Sequence, residues 1–266
     1  MSISPSASDV VSRRPTLKEW VRHYVRTPFK KFGHAIEDYV ANRSPMGDCS
    51  IVDARHFEWV ERLEKNSGAI RKELLALLGA QLNLPNIQEI SPRQMKLSKG
   101  SDGWKSYFFC LVGHRFDASY ARCPETGKLL DSIPDLQLAF FSVLAPGMHI
   151  PRHRGSYNGV LRCHLGLIVP EPRTAVRMTV GDALVHWEEG KCVIFDDTHH
   201  HEVWNDTDGI RVVLLFDICR PLPGWLARIN KTLLGLAHYL PDVRKAVRTQ
   251  REWEAQLAAQ AGAQSG

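Results

Sequence analysis

The chain has 266 residues, 44% hydrophobic and 24% charged, with a formal net charge of +5. Such a length and apolar content can bury a sizeable core, which excludes a wholly disordered or fibrous chain. No apolar run approaches the roughly 20 residues needed to span a bilayer, the polar start MSISPSASDVVSRRP lacks the apolar centre of an export signal, and so mild a charge argues against a dedicated nucleic-acid binder.

Residues 1–15 read as a disordered N-terminus. A helical extension follows over 16–102. It opens at the capping box TLKE (Thr16 to Glu19), and a first helix is expected to stop near Pro28. Arg13, Arg14, Lys18, Arg22, Arg26, Lys30 and Lys31 interleave there with Trp20, Tyr24, Phe29 and Phe32. That mixture fits either a solvated face whose aromatics dock on the core or a peripheral contact with an anionic membrane surface. Within 53–82, Phe57, Val60, Leu63, Ile70, Leu74, Leu77 and Leu78 recur at spacings of three and four. That periodicity predicts an amphipathic helix, broken near Ser67-Gly68. A polar, Pro-containing connector occupies roughly 85–102.

From Trp104 the pattern changes to short β-branched and aromatic runs. WKSYFFCLV, LQLAFFSVL, VLRCHLGLIV, AVRMTV, LVHWEEGKCVIF, HEVWN and IRVVLLFDI are punctuated by Gly, Pro, Asn and Asp. About seven strands between 104 and 218 suffice for a jelly-roll core, placed at 103–222. Helices return over 223–266 and end in a frayed tail. The predicted fold is therefore mainly β, a double-stranded β-helix (jelly roll) flanked by N- and C-terminal helices. The cysteines Cys49, Cys110, Cys123, Cys163, Cys192 and Cys219 form no C-x-x-C. This fits the reducing cytosol and, with the basic N-terminal segment, a cytoplasmic protein able to touch the inner membrane face.

Of the 12 histidines, His149, His153, His164, His186, His199, His200 and His201 crowd into one part of the β region. Two distant imidazoles on neighbouring strands can converge on iron(II) or zinc(II). His153 in PRHRG and His201 in THHHEVWN are separated by 201 − 153 = 48 residues, room for several strands. A common strand-bound site has an acid two residues after its first histidine, and here that place is Gly155. Spacing alone leaves a metal site and ordinary hydrogen-bonded core histidines both open.

The runs PGMHIPRHRGSYNGVLRCHLGLIVP and WEEGKCVIFDDTHHHEVWNDTDGIRVVLLFD resemble the aspartyl/asparaginyl β-hydroxylase family of iron(II)- and 2-oxoglutarate-dependent oxygenases. The resemblance covers about 104–222. RPLPGWLARINKTL is similar to the tail of its bacterial lipid A and ornithine-lipid acyl hydroxylase branch. The resemblance implies iron(II) held by His153 and His201, with no acid ligand, and His199 and His200 as rivals for the second place. It implies that Arg211 and Ser142 bind the distal carboxylate of 2-oxoglutarate. Arg162 and His164 lie near its chelating end or the substrate, and O2 is the other co-substrate. Asp196 and Asp197 are expected to make structural hydrogen bonds, with a role in orienting the metal ligands as the alternative. The chain is expected to pass from HEVWN to the facing sheet, so that Arg211, Val213, Leu215 and Asp217 look inward.

The implied reaction is hydroxylation of an unactivated C–H bond, coupled to oxidative decarboxylation of 2-oxoglutarate to succinate. For the substrate, Val160 stands where peptide-acting relatives carry an arginine for an acidic side chain. With the tail motif and the basic N-terminal segment, this favours C2 of a membrane-lipid acyl chain, in lipid A or an ornithine lipid. A β-hydroxylase of aspartyl/asparaginyl residues, or of a free amino acid, is the alternative. A non-catalytic metal-binding β-sandwich is a third reading. No specific nucleic-acid partner is expected.

Overall fold

A computed structural model describes residues 39–80, 82–90, 102–155 and 157–264. The basic N-terminal helices expected before residue 39 lie outside the described residues.

Strand β1 (Ile51–Val52) is followed by helices α1 (Glu58–Lys65) and α2 (Ser67–Gly79) and the short α3 (Ile87–Ile90). Then come β2 (Trp104–Leu111), β3 (His114–Arg115), α4 (Asp117–Arg122), α5 (Pro124–Asp131), β4 (Leu136–Leu144), β5 (Met148–His153) and β6 (Val160–Ile168). The remainder is β7 (Val176–Val180), β8 (Ala183–His186), β9 (Cys192–Phe195), β10 (His201–Asn205), β11 (Arg211–Cys219), α6 (Gly224–Ala237) and α7 (Pro241–Gln264).

The strands make two antiparallel sheets. One has seven strands in the order β1-β9-β6-β11-β4-β2-β3, the other four in the order β5-β10-β7-β8. This is the mainly β, helix-flanked jelly roll that the strand pattern predicts. Three local readings are corrected. LVHWEEGKCVIF is two strands, because the chain turns through Gly190 at φ 77° and leaves β8 and β9 in different sheets. Inside the region read as β core, residues 117–131 form two helices, with Pro124 opening α5 where its missing N–H costs nothing. Within the stretch expected to be helical, Ile51–Val52 pairs as a strand with β9.

Alternation along the strands sorts side chains into two cores. Leu161, Cys163 and Leu165 of β6 and Val212, Leu214 and Phe216 of β11 pack outward against Leu63 of α1 and Ile70, Leu74 and Leu77 of α2. Val213 and Leu215 point the other way and join Ile150, Met178, Val180 and Val203 of the four-stranded sheet. Each such side chain contributes about 1.5–3 kcal/mol by leaving water. β10 and β11 thus belong to opposite sheets despite the Asp-Gly turn between them, and the space between the sheets receives side chains from both.

Candidate active site

His153 ends β5 and His201 begins β10, and the two are directly opposed in the antiparallel register. Their ring centroids are 4.0 Å apart. Nδ1 of His153 donates to the carbonyl of Pro151 at 2.8 Å, and Nδ1 of His201 to that of His199 at 2.9 Å. A carbonyl only accepts, so each Nδ1 carries the proton and each Nε2 keeps its lone pair, the arrangement a metal-ligating imidazole needs. Burial, then the neighbouring His153, lowers His201 to about 3. Burial also lowers His153. Both rings are therefore neutral at ordinary pH.

The neighbouring histidines do not converge. His200 is exposed, and His199 turns to Asp48 at 3.1 Å. His149 pairs with Glu202 at 2.7 Å and stacks on Trp204. Asp48, Asp196 and His199 do come within 4.8 Å of one another. Asp196, however, is already engaged by Thr198 and by the buried Arg220.

Gly155 follows the first histidine, and its N–H donates to the Asp197 carbonyl at 2.7 Å. A side chain at 155 would run into the carboxylate of Asp197. That carboxylate is 3.2 Å from Nη1 of Arg162, whose Nε and Nη2 donate to Asp217 at 2.8 Å each. Burial pulls Arg162 down, but Asp217 and Asp197 outweigh it and hold the guanidinium protonated. Burial pushes Asp197 up to about 6, against the pull of Arg162.

The other half of the site lies on the seven-stranded sheet. Arg211 opens β11 and is 1% exposed. Its Nε and Nη1 have no hydrogen-bond partner, and its guanidinium lies 4.8 Å over the ring of Trp187. Burial pulls it down to about 9, so it is charged at neutral pH, and no carboxylate pairs with it among the described residues. Trp187 also stacks on His164. His164 is itself edge-on to Phe195 at 5.0 Å, and Phe195 touches His201. Burial, then Arg211, drives His164 well below the usual imidazole range. Nδ1 and Nε2 of His164 and Nε1 of Trp187 are likewise unsatisfied. Ser142 sits opposite Val213 on β4 and accepts from Nε1 of Trp104 at 3.0 Å, which leaves its own hydroxyl proton to donate.

So many unpartnered buried donors around one cation would be costly in an empty core. They fit an anionic ligand with oxygen acceptors. A cavity of about 220 Å³ is lined by His153 and Arg162 together with Phe108, Phe140, Leu215 and Leu240. Sequence reasoning had placed Asp217 on the inward face but had given no site role to Trp187 or Trp104. Only the W-x-x-G-K motif, which begins at Trp187, carried a signal for either of them.

The model of the family described as aspartyl/asparaginyl beta-hydroxylase matches residues 64–221, more than half of the chain. This chain belongs to the aspartyl/asparaginyl β-hydroxylase family. Within the family, it is 40% identical to the ornithine lipid ester-linked acyl 2-hydroxylase of Rhizobium tropici, over 82% of this chain and 77% of that protein. It is 32% identical to the human aspartyl/asparaginyl beta-hydroxylase over 62% of this chain, but spans only 21% of that longer protein. Among solved structures, the cupin domain of an XRE family transcriptional regulator from Enterobacter cloacae is 15% identical, with a TM-score of 0.31 over 46% of this chain and 99% of that one.

Proposed function

We propose that the chain is an iron(II)- and 2-oxoglutarate-dependent dioxygenase that hydroxylates C2 of a membrane-lipid acyl chain, an ornithine lipid in preference to lipid A. The observation that carries the reading is the buried, unpaired Arg211 in the same interior as two opposed imidazoles with free Nε2 atoms. A binding module with a metal alone would have no use for that cation.

In this reading His153 and His201 hold the metal, and no protein carboxylate completes the set. Two neutral ligands leave a dication uncompensated, which favours a dianionic co-substrate that brings its own oxygens. Arg211 grips the distal carboxylate of 2-oxoglutarate with its planar fork, and the Ser142 hydroxyl, oriented by Trp104, donates to the same group. His164 borders the chelating end. Arg162, held by Asp217 and Asp197, keeps a fixed positive charge beside His153. Held there, iron(II) would activate O2, the oxidant, so that one oxygen atom enters the C–H bond and the other enters the succinate formed, with carbon dioxide, from 2-oxoglutarate. The side chains position the reactants and exclude bulk water.

The acyl substrate is supported by the apolar lining of the cavity beside His153. It is supported too by Val160, which shares a strand face with Arg162 and offers no charge to an acidic side chain, and by the likeness to the Rhizobium tropici protein. Purified protein given iron(II), 2-oxoglutarate, oxygen and ornithine lipid is expected to form succinate and a lipid heavier by one oxygen. Succinate with no change in any lipid, but with oxidation of an Asp- or Asn-containing peptide, assigns the alternative substrate. No succinate with any of them leaves a metal-binding sandwich.

A further inference from the structure

Helix α6 is amphipathic the wrong way round for a solvated helix. Leu226 and Asn230 are buried against the body of the protein. Trp225, Ile229, Leu233 and Leu236 are 55%, 47%, 50% and 56% exposed. Their spacing of four, four and three puts them in one row along the helix. The row continues beyond the helix into Tyr239 and Leu240, 75% and 52% exposed. Single exposed apolar residues are ordinary, but a contiguous row of this length marks a contact surface.

The surroundings of the row are basic. Arg228 is exposed on its flank, and α7 adds exposed Arg244, Lys245, Arg248 and Arg251, against the single acid Asp242 between residues 224 and 251. Tyr239 borders a cleft of about 890 Å³ that is lined by Arg244, Arg248 and Arg251 together with His114 and His238. Arg248 meets Glu252 only at 3.7 Å, with both side chains largely exposed, so that pair neutralises little. A second copy docked symmetrically would set basic flank against basic flank. An anionic bilayer matches both the apolar row and its flanks. Leu240 belongs to two surfaces at once: it ends the exposed row and lines the cavity shared with His153 and Arg162.

We propose that α6 lies in the headgroup boundary of an anionic bilayer, apolar row downward, with Arg228 and the exposed arginines of α7 against lipid phosphates. Leu240 then marks where an acyl chain passes from bilayer to cavity. The route, though not the docking itself, rests on the acyl-chain reading of the site.

The test is co-sedimentation of the full chain with phosphatidylcholine vesicles, with and without phosphatidylglycerol. Binding is expected to need the anionic lipid and to weaken by at least about tenfold in the double variant Ile229→Glu/Leu233→Glu. Quenching of tryptophan fluorescence by brominated lipid is expected to fall in Trp225→Phe. Circular dichroism establishes that the variants are folded. Undiminished binding by the double variant overturns the proposal, since another segment then makes the contact. Absence of binding by the parent chain overturns it too, as does a dimer at sedimentation equilibrium that the same substitutions split. Succinate formation on detergent-dispersed ornithine lipid separates the two readings: a double variant active in detergent but not on vesicles supports docking through α6. A parent chain that binds vesicles and hydroxylates no lipid keeps the docking and removes the route.

Discussion

The carboxylate of Asp197 fills the space that a side chain at Gly155 would need, and the backbone N–H of Gly155 donates to the carbonyl of the same aspartate. The position where a common strand-bound metal site carries an acid is thus filled by a carboxylate from elsewhere in the chain, turned toward Arg162.

Gly155→Ala is therefore expected to displace Asp197, loosen Arg162 and destabilise the protein by about 1–3 kcal/mol, the range for an overpacked site. Asp197→Gly makes room, so the double variant should recover part of that loss. A coupling of at least about 0.5 kcal/mol in a urea-denaturation cycle is the expected outcome. Strict additivity would mean that the two residues do not compete for space.

Arg211→Ala is expected to raise the KM for 2-oxoglutarate by the equivalent of about 2–5 kcal/mol, the cost of truncating one partner of a buried charged pair. 2-Oxoglutarate should also raise the Tm of the parent protein and not that of the variant. An unchanged KM would remove Arg211 from the clamp.

His201→Ala is expected to abolish binding of cobalt(II), read by its absorption spectrum, whereas His200→Ala should leave it nearly intact. The basis is direct: His201 is buried opposite His153 and His200 is exposed. The reverse result would shift the ligand register by one residue.

Burial of His201 also sets a pH dependence. Its folded value, about 3, lies below its ordinary 6.5, so between those values the unfolded chain holds more protons. Its contribution to stability is complete above about 6.5 and is lost as the pH falls toward 3. His153 and His164 shift the same way. Asp197, pushed up to about 6, works oppositely and loses its contribution as the pH rises through that value. Without metal, the urea midpoint is expected to drop from pH 7 to pH 5, and less steeply in His201→Asn. Superimposable profiles would show that His201 is not the titrating group.

Two strands were legible to the residue. LQLAFFSVL and HEVWN are β4 and β10 as read. In HEVWN the inward positions His201, Val203 and Asn205 are all buried, as period-two alternation requires. MHIPRH was harder, since Pro151 and the three charged or polar residues His149, Arg152 and His153 hide the strand β5. Helices 117–131 were missed because SYARCPETGKLLD lies between apolar strands and is too short for helical periodicity to emerge. The histidine pair needed the family motif, because spacing could not choose among three consecutive histidines. Trp187 was marked only by the W-x-x-G-K motif that it opens, since alternation gave no signal for it. Its role comes from two contacts, to His164 and Arg211, made by strands distant in the chain.

The opposed imidazoles sit on the four-stranded sheet and the lone guanidinium on the seven-stranded one. Facing sheets hold a separation of about 10 Å, set by the side chains packed between them. The gap is thus a gauge for whatever must touch both walls at once. Under the proposed function, a diacid one methylene shorter than 2-oxoglutarate would reach one wall and miss the other, and one a methylene longer would not fit between them, so selection by length would follow from the spacing of the sheets.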